Sequence, residues 1–411
     1  MNKNNKLYIN SRRGFLTRLA AVGAAFASAK AIAQDAQKVP GPPADPAGTV
    51  SNSTVMADKF PRMQAHSDRP LTASVTAEHH HFAATPNDRM FVRNNLLTPD
   101  IDAAGHRLTV KGLVHKEVSF SVEDLRRNFP VVRTQAMLEC AGSGRTGYLP
   151  RPSGTPWPVT GGMGCPVWNG VRLRDVLRAA GMMNSAAHIA GQGGDFGVIA
   201  TATPVIRSIP LDKAMEPHTL VVFGMNDGPL PKIHGHPLRL LAPGWAGSAS
   251  IKWLHTLSVL DAPFKGTYMD TSYRIPREAV KPGEKMPPDA RVTEAWPVKS
   301  MITYPAPNAV FKLGRSVLVE GRAWVGEGAI AQVEISFDEG VTWQPAQLNS
   351  AGDKYAWRIF SLEFRPAKSG FVTALARASD DRGNTQPIIS TWNPLGYFWN
   401  GMHRVGFVVE A

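Results

Sequence analysis

An α+β domain followed by an all-β sandwich of immunoglobulin type is the architecture predicted for this 411-residue chain. The length exceeds what one compact domain usually needs. Between about residues 88 and 280, short strand-like runs alternate with helix-like stretches. Beyond a Pro- and Lys-rich stretch at 281–300, the texture changes to alternating strands separated by turn signals. The domains expected on this basis are 76–295 and 296–411.

The first element reads as an export signal. Residues 11–33 run from paired Arg12 and Arg13 through Phe15 and Leu16 into a weakly apolar Ala, Val and Gly stretch, ending small-x-small at Ala31 to Ala33. This is the pattern of a twin-arginine signal peptide over 1–33, cleaved after Ala33. The run is too short and alanine-rich for a bilayer span, so no membrane span is expected after processing. The twin-arginine route carries folded proteins, and the expectation is a bacterial periplasmic protein that folds around a cofactor before export. Residues 34–75, rich in Pro, Ala, Ser and Asp without a period, read as an extended arm or linker.

In the first domain, strands are expected at 107–110, 218–223, 237–241 and 256–260, with helices at 121–129 and 171–181. Ser121 and Asp124 have capping-box spacing at the start of the first helix. In the second domain, strands are expected at 316–324, 331–337, 357–364 and 370–379. Asp338-Glu339-Gly340 and Asp381-Arg382-Gly383-Asn384 are the turns. Six of the ten tryptophans lie from Trp296 onward, which suggests either internal packing or a two-fold dimer made by this domain.

Charge and cysteine usage exclude several classes. The formal charge is +12, but residues 1–33 hold six bases and no acid, which leaves 39 bases against 33 acids. That surplus suits a small anion or an acidic partner better than nucleic acid. Cys140 and Cys165 are the only cysteines, which excludes a disulfide scaffold, a zinc ribbon and a four-cysteine iron-sulfur cluster. No CxxCH is present, so no c-type haem is expected on this chain.

Cys140 stands in Leu138-Glu139-Cys140-Ala141-Gly142-Ser143-Gly144-Arg145, where a strand-like run enters a glycine-rich turn. A nearby guanidinium favours the thiolate, the form that attacks electrophiles or binds a soft metal. By itself a single cysteine is more often a small buried hydrophobe. Cys165, among apolar neighbours, reads as structural. His79-His80-His81 reads as a solvated strip, because adjacent histidines in an extended chain point to opposite sides. Gly191-x-Gly193-Gly194 lacks the strand, helix and acidic residue of a dinucleotide loop.

Three further segments pair bases with apolar flanks: Phe91-Val92-Arg93-Asn94-Asn95, His234-Gly235-His236-Pro237-Leu238-Arg239, and Pro243 to Trp253. Together with Cys140 and Arg145 they resemble the molybdopterin domain of the sulfite oxidase family. Val333-Glu334-Ile335-Ser336-Phe337-Asp338-Glu339-Gly340-Val341-Thr342-Trp343 resembles that family's dimerisation domain. The resemblance covers nearly all of residues 85–411 and implies molybdenum held by a pyranopterin dithiolene, with Cys140 as metal ligand. Arg93 and Arg145 match arginines of the substrate anion pocket, and Tyr273 falls where the active-site tyrosine is expected. Phe91, Val92, Arg93, Asn94, Asn95, Asp195, His234, Arg239, Ser250, Ile251 and Lys252 match positions around the pterin. Asn95 stands where many members have histidine, and Ser143 where asparagine is common.

The resemblance implies a periplasmic sulfite dehydrogenase that passes electrons to a separate c-type cytochrome, with a homodimer formed by the second domain. The family also allows a sulfane dehydrogenase subunit or a reductase of S-oxides. A non-enzymatic exported sandwich protein is the third class.

Overall fold

The computed structural model describes residues 47–199 and 201–411. The expected export segment 1–33 and the start of the expected arm lie outside the described residues. The described residues form one compact unit.

Over 49–75 the expected arm is instead folded. Ser51 caps helix Asn52–Ala57 through its side chain, and strands Gln64–Asp68 and Leu71–Ser74 pair antiparallel. A third strand, Val92–Arg93, joins at Thr72 and Ala73. Val50, Val55, Met63, Leu71, Ala73 and Val75 pack with Val92 and Ile233. Leu71, Ala73 and Val75 alternate with Thr72 and Ser74, a period of two too short to stand out from the surrounding Pro, Ala, Ser and Asp.

Two sheets follow. The first runs in the order Ile206–Pro210, His188–Gly193, Leu254–Leu260, Leu108–Gly112, Val118–Phe120. Its pairs are antiparallel, except that Leu254–Leu260 and Leu108–Gly112 are parallel. The second runs Gly228–Pro229, Leu220–Met225, Val167–Arg172, Val131–Gln135, with Arg239–Leu241 beside Leu220–Met225. Helix Val122–Asn128 carries the complete Ser121–Asp124 capping box. The second expected helix begins later, at Leu173–Ala179, because Val171 and Arg172 are held in the strand opposite Val221 and Leu220. The Gly191 motif lies mainly in a strand paired on both sides, which leaves no phosphate-cradling loop.

The C-terminal part is a two-sheet sandwich. One sheet runs Lys299–Tyr304, Val317–Trp324, Arg358–Phe364, Gln347–Leu348, and the other Val310–Lys312, His403–Glu410, Gly370–Asp380, Ile330–Ser336, Gln344–Pro345. Val317 and Val319 are buried while Leu318 between them is exposed, the period of two that marks a half-buried strand. Strand Lys299–Tyr304 was hidden in the Pro- and Lys-rich stretch, and its first residue is a buried lysine. Trp296, Trp324, Trp357 and Trp399 are buried within the chain, so internal packing accounts for most of the tryptophans.

Three contacts tie this sandwich to the Cys140 segment. Glu139 and Lys299, at 0% and 1% side-chain exposure, form an ion pair at 2.7 Å, and Trp324 Nε1 donates to the other carboxylate oxygen at 2.7 Å. Trp399 covers Gly144, whose φ of 82° already favours glycine, and a Cβ there would meet the indole at 2.7 Å.

Candidate active site

Cys140 follows strand Leu138–Glu139, with its N–H donating to Gly162 O at 2.8 Å and its carbonyl accepting from Ser143 N at 2.8 Å. These bonds turn the chain immediately after the thiol, which lines a cavity with Phe91, Arg93, Asn95, Asp195, His234, Arg239, Ser250, Ile251, Lys252 and Tyr273. Eleven sequence-predicted site residues therefore converge on one space. Val92 and Asn94 sit behind that lining. Val92 belongs to the core beneath it, and Asn94 is buried with its Oδ1 accepting from Lys252 Nζ.

At the Cys140 end, Arg93 Nη2 donates to Asn95 Oδ1 at 2.7 Å, and the Tyr273 hydroxyl donates to the same oxygen at 3.1 Å. Asn95, the residue that departs from the common histidine, thus orients guanidinium and phenol together. Burial works against the Arg93 charge, but the acidic groups facing it, Tyr273, Cys140 and Tyr397, raise its pKa. Tyr273 has a φ of 55°, a left-handed conformation that costs on the order of 1 to 3 kcal/mol in a non-glycine residue and clusters at functional sites.

Arg145 differs from its expected place. Nε and Nη2 donate to Leu395 O at 3.1 and 2.9 Å, and Nη1 donates to Thr155 O at 2.8 Å. It is absent from the cavity lining and braces the loop after Cys140 against the C-terminal segment. The carbonyl that takes two of its bonds lies 250 residues away, so nothing in the local motif announces this use.

The opposite end of the cavity is basic. Arg239 donates to His234 O at 3.1 Å and Ser250 O at 3.2 Å, and its buried Nε has no hydrogen-bond partner. Burial lowers its pKa to about 9. Lys252 donates to Ile233 O at 3.0 Å, and burial among neighbouring cations drives its pKa well down. Burial raises the Asp195 carboxyl to about 6, partly opposed by Lys252. The Ser250 hydroxyl accepts from Ala242 N at 3.0 Å, and its own O–H remains a donor on the cavity lining.

Sequence reasoning missed several participants. Met90, Ser248 and Trp253 also line the cavity. Tyr397 stacks on Tyr273 with ring centroids 5.5 Å apart, and the Arg207 guanidinium lies 5.0 Å from the Tyr273 ring. Lys59, from the expected arm, lies 2.5 Å from His234 Nε2. Tyr397 lies among the C-terminal aromatics that suggest either packing or a dimer, whereas Lys59 carries no signal. His80 corrects the reading of the histidine tract as solvated: it is 2% exposed, and burial lowers its pKa to about 3. Burial raises the Cys165 thiol to about 12, as suits a structural cysteine.

The residues present fit a molybdenum-pterin group. A soft sulfur donor stands at one end, and at the other a cluster of buried bases meets a single lining carboxylate, Asp195. Gly193 has no room for a Cβ because Lys252 O would lie 2.2 Å away, so the segment that carries Lys252 packs directly on this backbone.

Comparison with known proteins agrees with this geometry. Residues 95–268 match the oxidoreductase molybdopterin binding domain, and residues 290–410 match the Mo-co oxidoreductase dimerisation domain. Mitochondrial sulfite oxidase from Homo sapiens is 33% identical over 89% of this chain and 69% of its own length. A nitrate reductase [NADH] from Ulva prolifera is 30% identical over 78% of this chain and 40% of its own length. The crystal structure of the sulfane dehydrogenase SoxCD from Paracoccus pantotrophus shares the fold, with a TM-score of 0.70, 24% identity, and coverage of 90% of this chain and 94% of that one. The chain spans about two thirds of the length of the mammalian sulfite oxidases it matches. It belongs to the sulfite oxidase family of molybdopterin enzymes, an oxidoreductase family whose cofactor is the molybdenum-pterin group.

Proposed function

We propose that the protein oxidises sulfite to sulfate in the periplasm and passes the electrons to a separate c-type cytochrome. Sulfite gains the oxygen of one water, and two electrons and two protons leave. The observation that carries this reading is Arg93, a guanidinium in the Cys140 cavity, oriented by Asn95 beside Tyr273. Guanidinium retains its charge when buried and offers a fork of donors to an oxyanion. In this reading Cys140 is the protein's ligand to molybdenum, and Arg93 binds the anion. The Tyr273 hydroxyl hydrogen-bonds the substrate and carries a proton outward. Asp195, His234, Arg239, Ser250, Ile251 and Lys252 hold the pterin. When bound, the molybdenum-pterin group supplies two-electron oxygen-atom transfer and releases the electrons singly.

The match over 290–410 supports a homodimer formed by the sandwich. The twin-arginine pattern of 1–33 supports export to the periplasm. Reduction of ferricyanide or cytochrome c by the purified protein on addition of sulfite is the direct test. A second reading, oxygen-atom transfer to or from another sulfur compound, draws on Arg145: it bonds the carbonyls of Leu395 and Thr155 and is absent from the lining, so of the two arginines expected to bind the anion only Arg93 reaches the cavity. Turnover with a sulfur substrate other than sulfite, and none with sulfite, would select it.

A further inference from the structure

We propose that Lys59 is a positioning residue of the cofactor site: its ammonium donates to Nε2 of His234 and fixes the imidazole with its proton on Nδ1. The inference rests on the reading of His234 as a residue that holds the pterin. Lys59 follows helix Asn52–Ala57 and lies outside the matched domain, which begins at residue 95.

The geometry around Lys59 is specific. Its Nζ lies 2.7 Å from Asn87 O, 3.1 Å from Met90 O and 2.5 Å from His234 Nε2. Lys59 is 8% exposed and His234 2%, and among the described residues no carboxylate lies within ion-pair distance of this ammonium. An ammonium has three donors and no acceptor, and three acceptors surround it here. Burial first, then the charges of Lys59, Lys252 and Arg239, hold the His234 imidazole well below its ordinary pKa, against a hydrogen bond to the Asn87 carbonyl that raises it. A neutral imidazole has one donor and one acceptor, so the partner at Nε2 decides what Nδ1 offers.

Two proton arrangements satisfy this contact: an ammonium donating to Nε2, or an amine accepting from Nε2–H. An anionic group held in the cavity would favour the first, because its negative charge would stabilise the ammonium. Lys59 then contributes twice, by its charge and by fixing which imidazole nitrogen carries the proton. The folded segment 49–75 is what brings the lysine there.

The test uses the full-length holoenzyme with 15N-labelled histidine, with the His234 resonances assigned by their loss in His234→Asn. Two-bond nitrogen–proton correlations distinguish the tautomers. The expected wild-type result is a neutral His234 protonated on Nδ1. In Lys59→Met this tautomer should be lost, and the molybdenum and pterin retained per chain after dialysis should correspond to about 10- to 100-fold weaker binding, the range for groups that orient a metal site. Lys59→Arg should keep both. Protonation of His234 on Nε2 in the wild type, or an unchanged tautomer in Lys59→Met, overturns the proposal. The wild-type measurement needs no Lys59 variant, so a Lys59→Met chain that does not fold leaves the test decisive. Wild-type protein without molybdenum or pterin would overturn the functional reading instead, a result distinct from the tautomer.

Discussion

Replacing Lys299 with methionine should destabilise the protein far more than removing both members of its ion pair. Glu139 and Lys299 have side-chain exposures of 0% and 1%, so the lysine's loss strands a carboxylate with only Trp324 Nε1 as its remaining side-chain donor. Breaking such a buried pair from one side costs about 3 to 5 kcal/mol, whereas replacing both charges is often close to neutral. With a urea dependence of about 3 kcal/mol per molar, the midpoint of Lys299→Met should fall by about 1 to 1.7 M. In a Glu139→Gln background the same change should cost less than about 1 kcal/mol, because no charge is stranded. Because Glu139 precedes Cys140, molybdenum retention should fall with stability in the single variant and recover in the double variant. Urea unfolding of the four proteins gives the coupling energy directly. Equal costs in both backgrounds, with coupling below about 0.5 kcal/mol, would refute the reasoning.

Cys140→Ser should leave the fold intact and abolish both molybdenum retention and turnover, since a hydroxyl is too weakly acidic to replace a thiolate on a soft metal; metal analysis and circular dichroism check the two halves. Arg93→Gln should raise the sulfite KM by a loss on the order of 2 to 4 kcal/mol. Arg145→Gln should move KM much less and instead lower stability by about 2 kcal/mol, because its donors hold Leu395 O and Thr155 O; steady-state kinetics and melting curves of the pair separate the roles. For Glu216, burial pushes the pKa up, but hydrogen bonds from Lys213, Lys354 and Tyr355 outweigh it and bring the carboxyl from 4.5 to about 2. A depressed acid stabilises the fold above its unfolded value, and the benefit is lost as pH falls from 4.5 to about 2. Glu216→Gln should therefore cost on the order of 2 kcal/mol at neutral pH, allowing for partial exposure, and the gap from wild type should close across that acid window in pH-resolved unfolding. Sedimentation of the full-length protein at micromolar concentration should show a dimer, and a monomer there would defeat that part of the proposal.

Much of the chain's physics is written locally. The alternation of Val317, Leu318 and Val319 marks a strand with one buried face, and Ser121 with Asp124 marks a helix start, because a capping box closes within a single turn. The chemistry of Cys140, Arg93, Tyr273, His234, Arg239 and Lys252 was likewise legible as residue type and order along the chain. What only the tertiary structure decided was which partner each polar group takes. Arg145 stands five residues after Cys140 in sequence, yet its donors go to carbonyls of Thr155 and Leu395. Lys59 sits in a stretch without period, yet it ends against His234, 175 residues away. Glu139 meets Lys299 across 160 residues. Periodicity records which face of an element leaves water, since burial of apolar surface is non-directional and repeats with the element's geometry. A buried donor or acceptor must instead find one specific partner at hydrogen-bond distance, and that partner is set by how distant segments pack.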